Sequence, residues 1–309
     1  MTSAGTFVPP TVLEIRSLEE LTKEVFGPVM HVIRYNRADL PKLVDQINNS
    51  GFGLTLGVHS RIDETIDFIS GNAHVGNIYI NRNIVGAVVG VQPFGGEGKS
   101  GTGPKAGGPL YLKRLQRNAV TMAKHEHRTL PALDALTVWA KSNKQERAAA
   151  LAEQYSRSTQ LGSTTVLPGP TGERNTLSLA PRGTIVCAAA TVEGLLNQLA
   201  AVLATGNVAV LAGDTVKLLP ANLPAAVKDR VHVAAELDKF EGEFQIALVE
   251  ASLSSGLRVS LAARDGALVG LIDTTEDGAI PLWRLLAERA LCVNTTAAGG
   301  NASLMTLEA

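Results

Sequence analysis

Aromatic residues make up only 4% of this 309-residue chain, and it holds two cysteines. Two thiols cannot build a disulfide framework in a chain of this length, so a disulfide-stapled extracellular scaffold is excluded and the cytoplasm is the expected compartment. An excess of one charge sign is also missing: Lys and Arg total 28 against 29 Asp and Glu. That balance removes the footprint of a protein that lives on nucleic acid or anionic membrane, and leaves small molecules or protein surfaces as ligands. The longest apolar stretch, 195–211, is interrupted by Asn197, Gln198, Thr205, Gly206 and Asn207, so it cannot cross a bilayer unbroken. Residues 1–15 contain no basic start followed by a long apolar core, so no export signal is read there. No metal-ligand spacing stands out either.

What is present is a composition with 45% hydrophobic and 18% charged residues, enough for a sizeable core and, at this length, for two domains. Of the 30 glycines, nine fall between Gly86 and Gly108, so one loop region is heavily Gly-built. Residues 29–35 are β-branched and apolar after Gly27-Pro28 and read as a strand. Asp39 can cap a helix whose Leu40, Leu43, Val44 and Ile47 line one face, with Gly51 at its stop. Leu54, Leu56 and Val58 alternate as a strand, Ser60 and Asp63 open a helix that ends at Gly71, and residues 76–81 supply another strand. Strand, helix, strand, helix, strand is the pattern of parallel βαβ units.

The composition turns helical from Pro131 through residues 148–152 and closes at Gly162-Ser163-Thr164-Thr165. Beyond it the βαβ pattern restarts: strands at 184–190, 207–211, 231–234, 246–249 and 267–272, with a helix over 192–204 that stops at Gly206. No Gly-x-Gly-x-x-Gly follows any of these strands, so nucleotide binding by this half has no motif behind it. Pro109-Leu110-Tyr111 with Arg117-Asn118-Ala119-Val120 is similar to Pro281-Leu282-Trp283 with Glu288-Arg289-Ala290-Leu291, as though a unit had been duplicated, with chance in an Ala/Leu/Arg-rich chain as the alternative.

Three stretches could carry chemistry. Glu24 lies two residues before Phe26 in a turn braced by Gly27 and Pro28; a carboxylate accepts from both hydroxyls of a ribose, and a ring nearby can face the attached base. Without more context, a solvated Glu beside a core Phe explains the same residues. Val85-Gly86-Ala87-Val88 and Gln92-Pro93-Phe94-Gly95-Gly96 follow a strand directly, where α/β sheets bind ligands and glycine lets backbone N–H groups approach an anion; an ordinary flexible loop is the plain alternative. Cys187 and Cys292 both sit in strand-like apolar surroundings, without a neighbouring His, Lys or helix N-terminus, and read as small buried hydrophobes.

These residues resemble a known family. Glu24-Val25-Phe26-Gly27-Pro28 is similar to a signature of the NAD(P)-dependent aldehyde dehydrogenases, and Pro93-Phe94-Gly95-Gly96 with Ser100-Gly101 is similar to their late signature. The stretches 81–92 and 100–109 resemble the pyrroline-5-carboxylate (glutamate γ-semialdehyde) dehydrogenase branch, in particular the bifunctional proline utilisation A (PutA) flavoenzymes, and residues 293–305 resemble the closing motif of those proteins. The resemblance implies an α/β fold: an aldehyde-dehydrogenase-type catalytic-domain remnant followed by a second Rossmann-like parallel-sheet domain. It implies the end of an aldehyde dehydrogenase domain over 1–123, a helical linker over 124–164, a noncatalytic domain of the same type over 165–280, and a tail or lid over 281–309. Glu24 would hold the nicotinamide ribose of NAD and Phe26 would lie against the nicotinamide. Gly86 and Ala87 would present N–H groups to the α-carboxylate of L-glutamate γ-semialdehyde, and Phe94 would pack on its aliphatic chain.

The family chemistry is attack of a cysteine thiolate on the aldehyde, hydride transfer to NAD, and hydrolysis by water that a Glu activates. The Gly-Gln-x-Cys and Glu-Leu-Gly-Gly contexts of those two groups do not occur here, so no catalytic residue is assigned to this chain. The FAD-dependent proline dehydrogenase part and the DNA-binding part of such proteins are likewise missing. The expected partners are the rest of the same polypeptide and, in the intact protein, further copies of it. Two readings therefore compete: part of an NAD-dependent dehydrogenase, or a catalytically silent module for packing, oligomer contacts and tunnel closure.

Overall fold

The computed structural model describes residues 4–116, 129–275 and 278–296. In the first half, β1 (Thr11–Glu14) and β2 (Val29–Val32) pair in parallel as a ribbon of their own. The expected 29–35 strand is thus shorter, and it stands apart from the main sheet. Helix α1 (Leu40–Asn49) starts with Pro41 in its first turn and is followed by Gly51 at φ 74°; Asp39 stands at its N-cap without the expected side-chain bond, because a 3-10 turn over Arg37–Asp39 already leads into the helix. Its Val44 and Leu40 pack with Val58, Ile66, Val75, Ile78 and Ile80. After β3 (Phe52–Gly53), strand β4 (Thr55–Val58), helix α2 (Asp63–Asn72) and strand β5 (Asn77–Ile80) form a parallel βαβ unit, and every residue of β5 is buried. The Gly-rich region adds only β6 (Glu97–Gly98), antiparallel to β3, and α3 (Tyr111–Leu115).

In the second half, α4 (Pro131–Ser142) and α5 (Glu146–Ser158) form a helical pair, and β7 (Thr164–Leu167), β8 (Glu173–Pro181) and β9 (Thr184–Ala188) follow. Helix α6 (Val192–Ala204) is buried everywhere past Glu193, because α4 and α5 cover one side and the sheet the other. Thr191 caps it by accepting from the Gly194 N–H at 3.0 Å, and Gly206 at φ 69° ends it while Asn207 N donates back to Val202 O. The chain continues through β10 (Val208–Ala212), α7 (Ala225–Lys228), β11 (Val231–Ala234), β12 (Ile246–Glu250), α8 (Ser254–Ala262), β13 (Gly270–Thr274) and β14 (Leu286–Asn294). Strands β11-β10-β9-β12-β13 make an all-parallel sheet that winds outward both ways from β9, the doubly wound arrangement expected of this half.

The second five-stranded sheet runs β4-β5-β14-β8-β7. Strand β14 lies parallel to β5 and antiparallel to β8, with Ala290 opposite both Asn77 and Leu177. Residues 164–181 and 286–294 therefore leave the second half and complete the sheet that the first half begins. The sequence reading ended a helical stretch at Thr165 and placed residues from 281 in a tail; both segments carry strands. Of the two similar segments at 109–120 and 281–291, the parts described in both open a short helical turn just after the proline, α3 at Tyr111 and a 3-10 turn at Leu282, and the second then runs into β14. Arg117 to Val120, and the closing motif past Thr296, lie outside the described residues.

Candidate functional site

The site grows from the C-terminal end of β5. Asn81, at φ 55°, turns the chain there, its amide bonded to the Ser60 backbone in both directions (3.0 and 2.9 Å). In the loop that follows, the N–H groups of Gly86 and Ala87 take no acceptor among the described residues. Val85 and Val89 are 90% and 97% exposed, so the loop presents bare amides between bare apolar side chains. A Cβ on Gly86 would meet nothing within 4 Å and the residue is not left-handed; the left-handed glycine of this loop is Gly90, at φ 82°. The turn is closed by Val91 N and Gln92 N donating to Val88 O, and by Val88 N donating to Gln92 Oε1 at 3.2 Å.

Phe94 lies on the next stretch, half-buried. Its backbone exchanges two hydrogen bonds with Ala106 (3.0 and 2.9 Å). On either side of it, buried Asn77 of β5 donates to Pro93 O at 2.9 Å and accepts from Gly95 N at 3.1 Å. Gly76 allows this crossing, since a Cβ there would overlap the Gly95 carbonyl. Buried Lys105 donates to Asn77 Oδ1 at 3.1 Å and to Gly95 O, and burial pulls its ammonium down to about 8. Its own N–H donates to Glu288 Oε2 of β14 at 2.6 Å, and burial raises the Glu288 carboxyl above the usual range.

A polar cluster backs the loop. Arg82 pairs with Glu173 and places its guanidinium 5.1 Å from the Tyr79 ring centre. Arg82 also reaches Cys292 Sγ at 3.0 Å, and Gln92 Nε2 reaches it at 3.2 Å. Cys187, in contrast, lies wholly in the apolar core, which pushes its thiol far up. The expectation of apolar surroundings holds for Cys187 and is corrected for Cys292, whose neighbours arrive from β5, β8 and the 82–92 loop. Burial outweighs Arg82, whose charge Glu173 already balances, and the Cys292 thiol is raised to about 11. Neither thiol is a ready nucleophile.

Glu24 and Phe26 sit in the loop before β2. Glu24 is exposed and makes no hydrogen bond or ion pair among the described residues, and Phe26 is 93% exposed. Phe26 is therefore not a core residue of this chain, which corrects that half of the plain reading, while Glu24 is as exposed as that reading expects. No hydrogen bond, ion pair or ring contact joins the two to residues 86, 87 or 94 among the described residues. Asn77, Lys105, Glu173, Asn175 and Glu288 were not anticipated. Their signal is polarity where the strand pattern asks for apolar side chains, as in Glu288 within 285–293, and a Lys in a glycine run. Among the described residues no helix is long and apolar enough to cross a membrane, and no group of His, Cys, Asp and Glu could hold a metal ion.

The aldehyde dehydrogenase family profile matches residues 1–120. The bifunctional protein PutA of Escherichia coli (strain K12) is 50% identical over 326 residues, spanning 98% of this chain and 24% of that protein. Residues 1–120 are an aldehyde dehydrogenase segment of PutA type. Rhizobium meliloti PutA is 46% identical across 99% of the chain, whereas 1-pyrroline-5-carboxylate dehydrogenase 1 of Halalkalibacterium halodurans, 42% identical, covers 40% of it. The PutA likeness thus extends through the second half. The solved structure of PutA from Corynebacterium freiburgense matches 93% of the chain with a TM-score of 0.64 at 25% identity, covering 27% of that protein. The chain spans about a quarter of the length of the PutA relatives it matches.

Proposed function

We propose that this chain supplies the substrate-carboxylate loop and the ribose and nicotinamide contacts of an NAD-dependent L-glutamate γ-semialdehyde (pyrroline-5-carboxylate) dehydrogenase acting in proline catabolism in the cytoplasm. The observation that carries the reading is the pair of adjacent unpartnered N–H groups at Gly86 and Ala87, on a loop directly after a buried parallel strand. Two amides offer a carboxylate two hydrogen bonds without a buried cation. Half-buried Phe94, held in place through its backbone, supplies apolar surface for the aliphatic chain. Glu24 fits the ribose as an exposed acceptor without a partner, and the bare Phe26 ring fits the face of the nicotinamide. NAD supplies the hydride acceptor when bound.

The thiolate and the water-activating carboxylate belong to the rest of the polypeptide, since both thiols here are raised. The same fact supports silence for the Rossmann-like domain built on the β11-β10-β9-β12-β13 sheet, reached through a linker that carries α4 and α5, with the segment after β14 as tail and lid. FAD belongs to the proline dehydrogenase part, and the intact protein is a homo-oligomer in this reading. The test is Gly86→Val in the longer protein that contains this chain. The site has open space, so the fold tolerates the valine while the amides are screened. The kcat/KM for the semialdehyde should fall roughly tenfold more than that for propanal, the worth of about one charge-assisted hydrogen bond. Equal losses would return the loop to a plain connection.

A further inference from the structure

The loop that presents Gly86 and Ala87 is closed by one side chain. Gln92 is 5% exposed, and its Oε1 accepts from Val88 N, the residue directly after the two free amides. An amide side chain could equally turn its nitrogen toward Val88, where it could not accept. Two oxygens at the other end prevent that: Gln92 Nε2 faces Asn175 Oδ1 at 3.2 Å and Glu173 Oε2 at 3.3 Å, beside the Cys292 thiol at 3.2 Å. Turning the amide over would set its oxygen against a carboxylate and an amide oxygen, and two N–H donors against the Val88 N–H. Asn175 is itself fixed, 2% exposed on β8 with its Nδ2 on Glu173, and Glu173 is held by Arg82. The chain of contacts runs from a strand in the second half, through one amide, to the substrate loop.

We propose that Gln92, oriented by Asn175 and Glu173, is a positioning residue that sets selectivity for a carboxylate-bearing aldehyde. Strand β8 thereby contributes to specificity from more than eighty residues downstream of the loop. This rests on the carboxylate reading of Gly86 and Ala87 proposed above. Losing the Val88 bond leaves the two amides without a fixed direction, which penalises a substrate that must meet both and leaves one without a carboxylate untouched.

The test uses the full-length protein with Gln92→Met, Asn175→Leu and Gln92→Glu. Gln92→Met and Asn175→Leu should raise KM for the semialdehyde roughly tenfold, the worth of one ordinary hydrogen bond, with KM and kcat for propanal retained. Gln92→Glu keeps the acceptor but sets a second carboxylate against Glu173. Its KM, taken as a ratio to wild type at each pH, should recover as acid restores a donor. Hydrogen exchange of the 84–92 peptide should quicken in Gln92→Met and Asn175→Leu without any substrate present. Unchanged exchange, or equal losses for semialdehyde and propanal, would overturn the proposal. A wild type that oxidises no semialdehyde, while the exchange still quickens, would overturn the carboxylate reading and leave the anchoring in place.

Discussion

Tyr155→Phe is the substitution whose cost the structure specifies most narrowly. The Tyr155 ring is 1% exposed on α5, and its hydroxyl donates to Asn197 Oδ1 of α6 at 2.7 Å while accepting from Ile280 N at 2.8 Å. Phenylalanine keeps the ring, so the apolar contacts survive and no side-chain cavity opens. What is lost is a partner for two buried polar atoms, each worth about 1 to 3 kcal/mol when orphaned, offset in part because the buried hydroxyl no longer needs desolvating. The expected loss is about 2 to 4 kcal/mol, a large fraction of the roughly 5 to 15 kcal/mol of a folded domain. Urea titration followed by the fluorescence of the two tryptophans, of which Trp139 packs against the same core, measures it.

Alkaline pH supplies an internal check. Burial raises the Tyr155 hydroxyl from 10.0 to about 12, so the native state holds the proton more tightly than the unfolded chain. Its stabilisation is complete below pH 10 and is lost as pH rises through 12. Phenylalanine does not titrate, so the gap between the two proteins should narrow by about 1.4 kcal/mol at pH 11. A gap under about 0.5 kcal/mol at neutral pH, or one that is constant from pH 9 to 11, would refute the reasoning.

Lys105→Met should show the opposite pH trend. With the native ammonium lowered to about 8, the unfolded chain binds the extra proton between there and 10.5, so wild type should gain on the variant by about 2.5 kcal/mol from pH 7 to 10, read from urea midpoints. A parallel pair of curves would mean that Lys105 is hydrated. In the longer protein, Glu24→Ala should lower kcat roughly tenfold or more with aldehyde KM retained, since hydride transfer is sensitive to small misplacements of the reacting atoms. Unchanged steady-state kinetics would make Glu24 an ordinary solvated residue.

The doubly wound sheet of the second half was legible in the sequence because each of its strands is a short apolar run with a turn signal beside it, and the runs near 184, 208, 231, 246 and 270 all appear as parallel strands. Helix α1 was equally legible, since Leu40 and Val44 share one face and Gly51 stops it. Glycine density likewise placed the loops around residues 86 and 94 after a buried strand, where backbone groups can be presented. Local patterns of period 3.6 and period 2 carry that information within a few residues.

The shared sheet was decided by tertiary structure alone. In β14, Glu288 and Arg289 interrupt the apolar run, and in β8 Asn175 occupies an inward position, so neither strand announces itself locally. Both charges and the amide are placed by partners far away in sequence: Glu288 by the Lys105 N–H, Arg289 beside Glu97, and Asn175 by Gln92. The surroundings of Cys292 were hidden for the same reason, because Arg82 lies 210 residues from it in sequence and 3.0 Å away in space. A sequence shows which backbone a segment favours; which buried polar groups satisfy one another is settled only when distant strands lie side by side, since each unpaired buried group costs more than local propensity can repay.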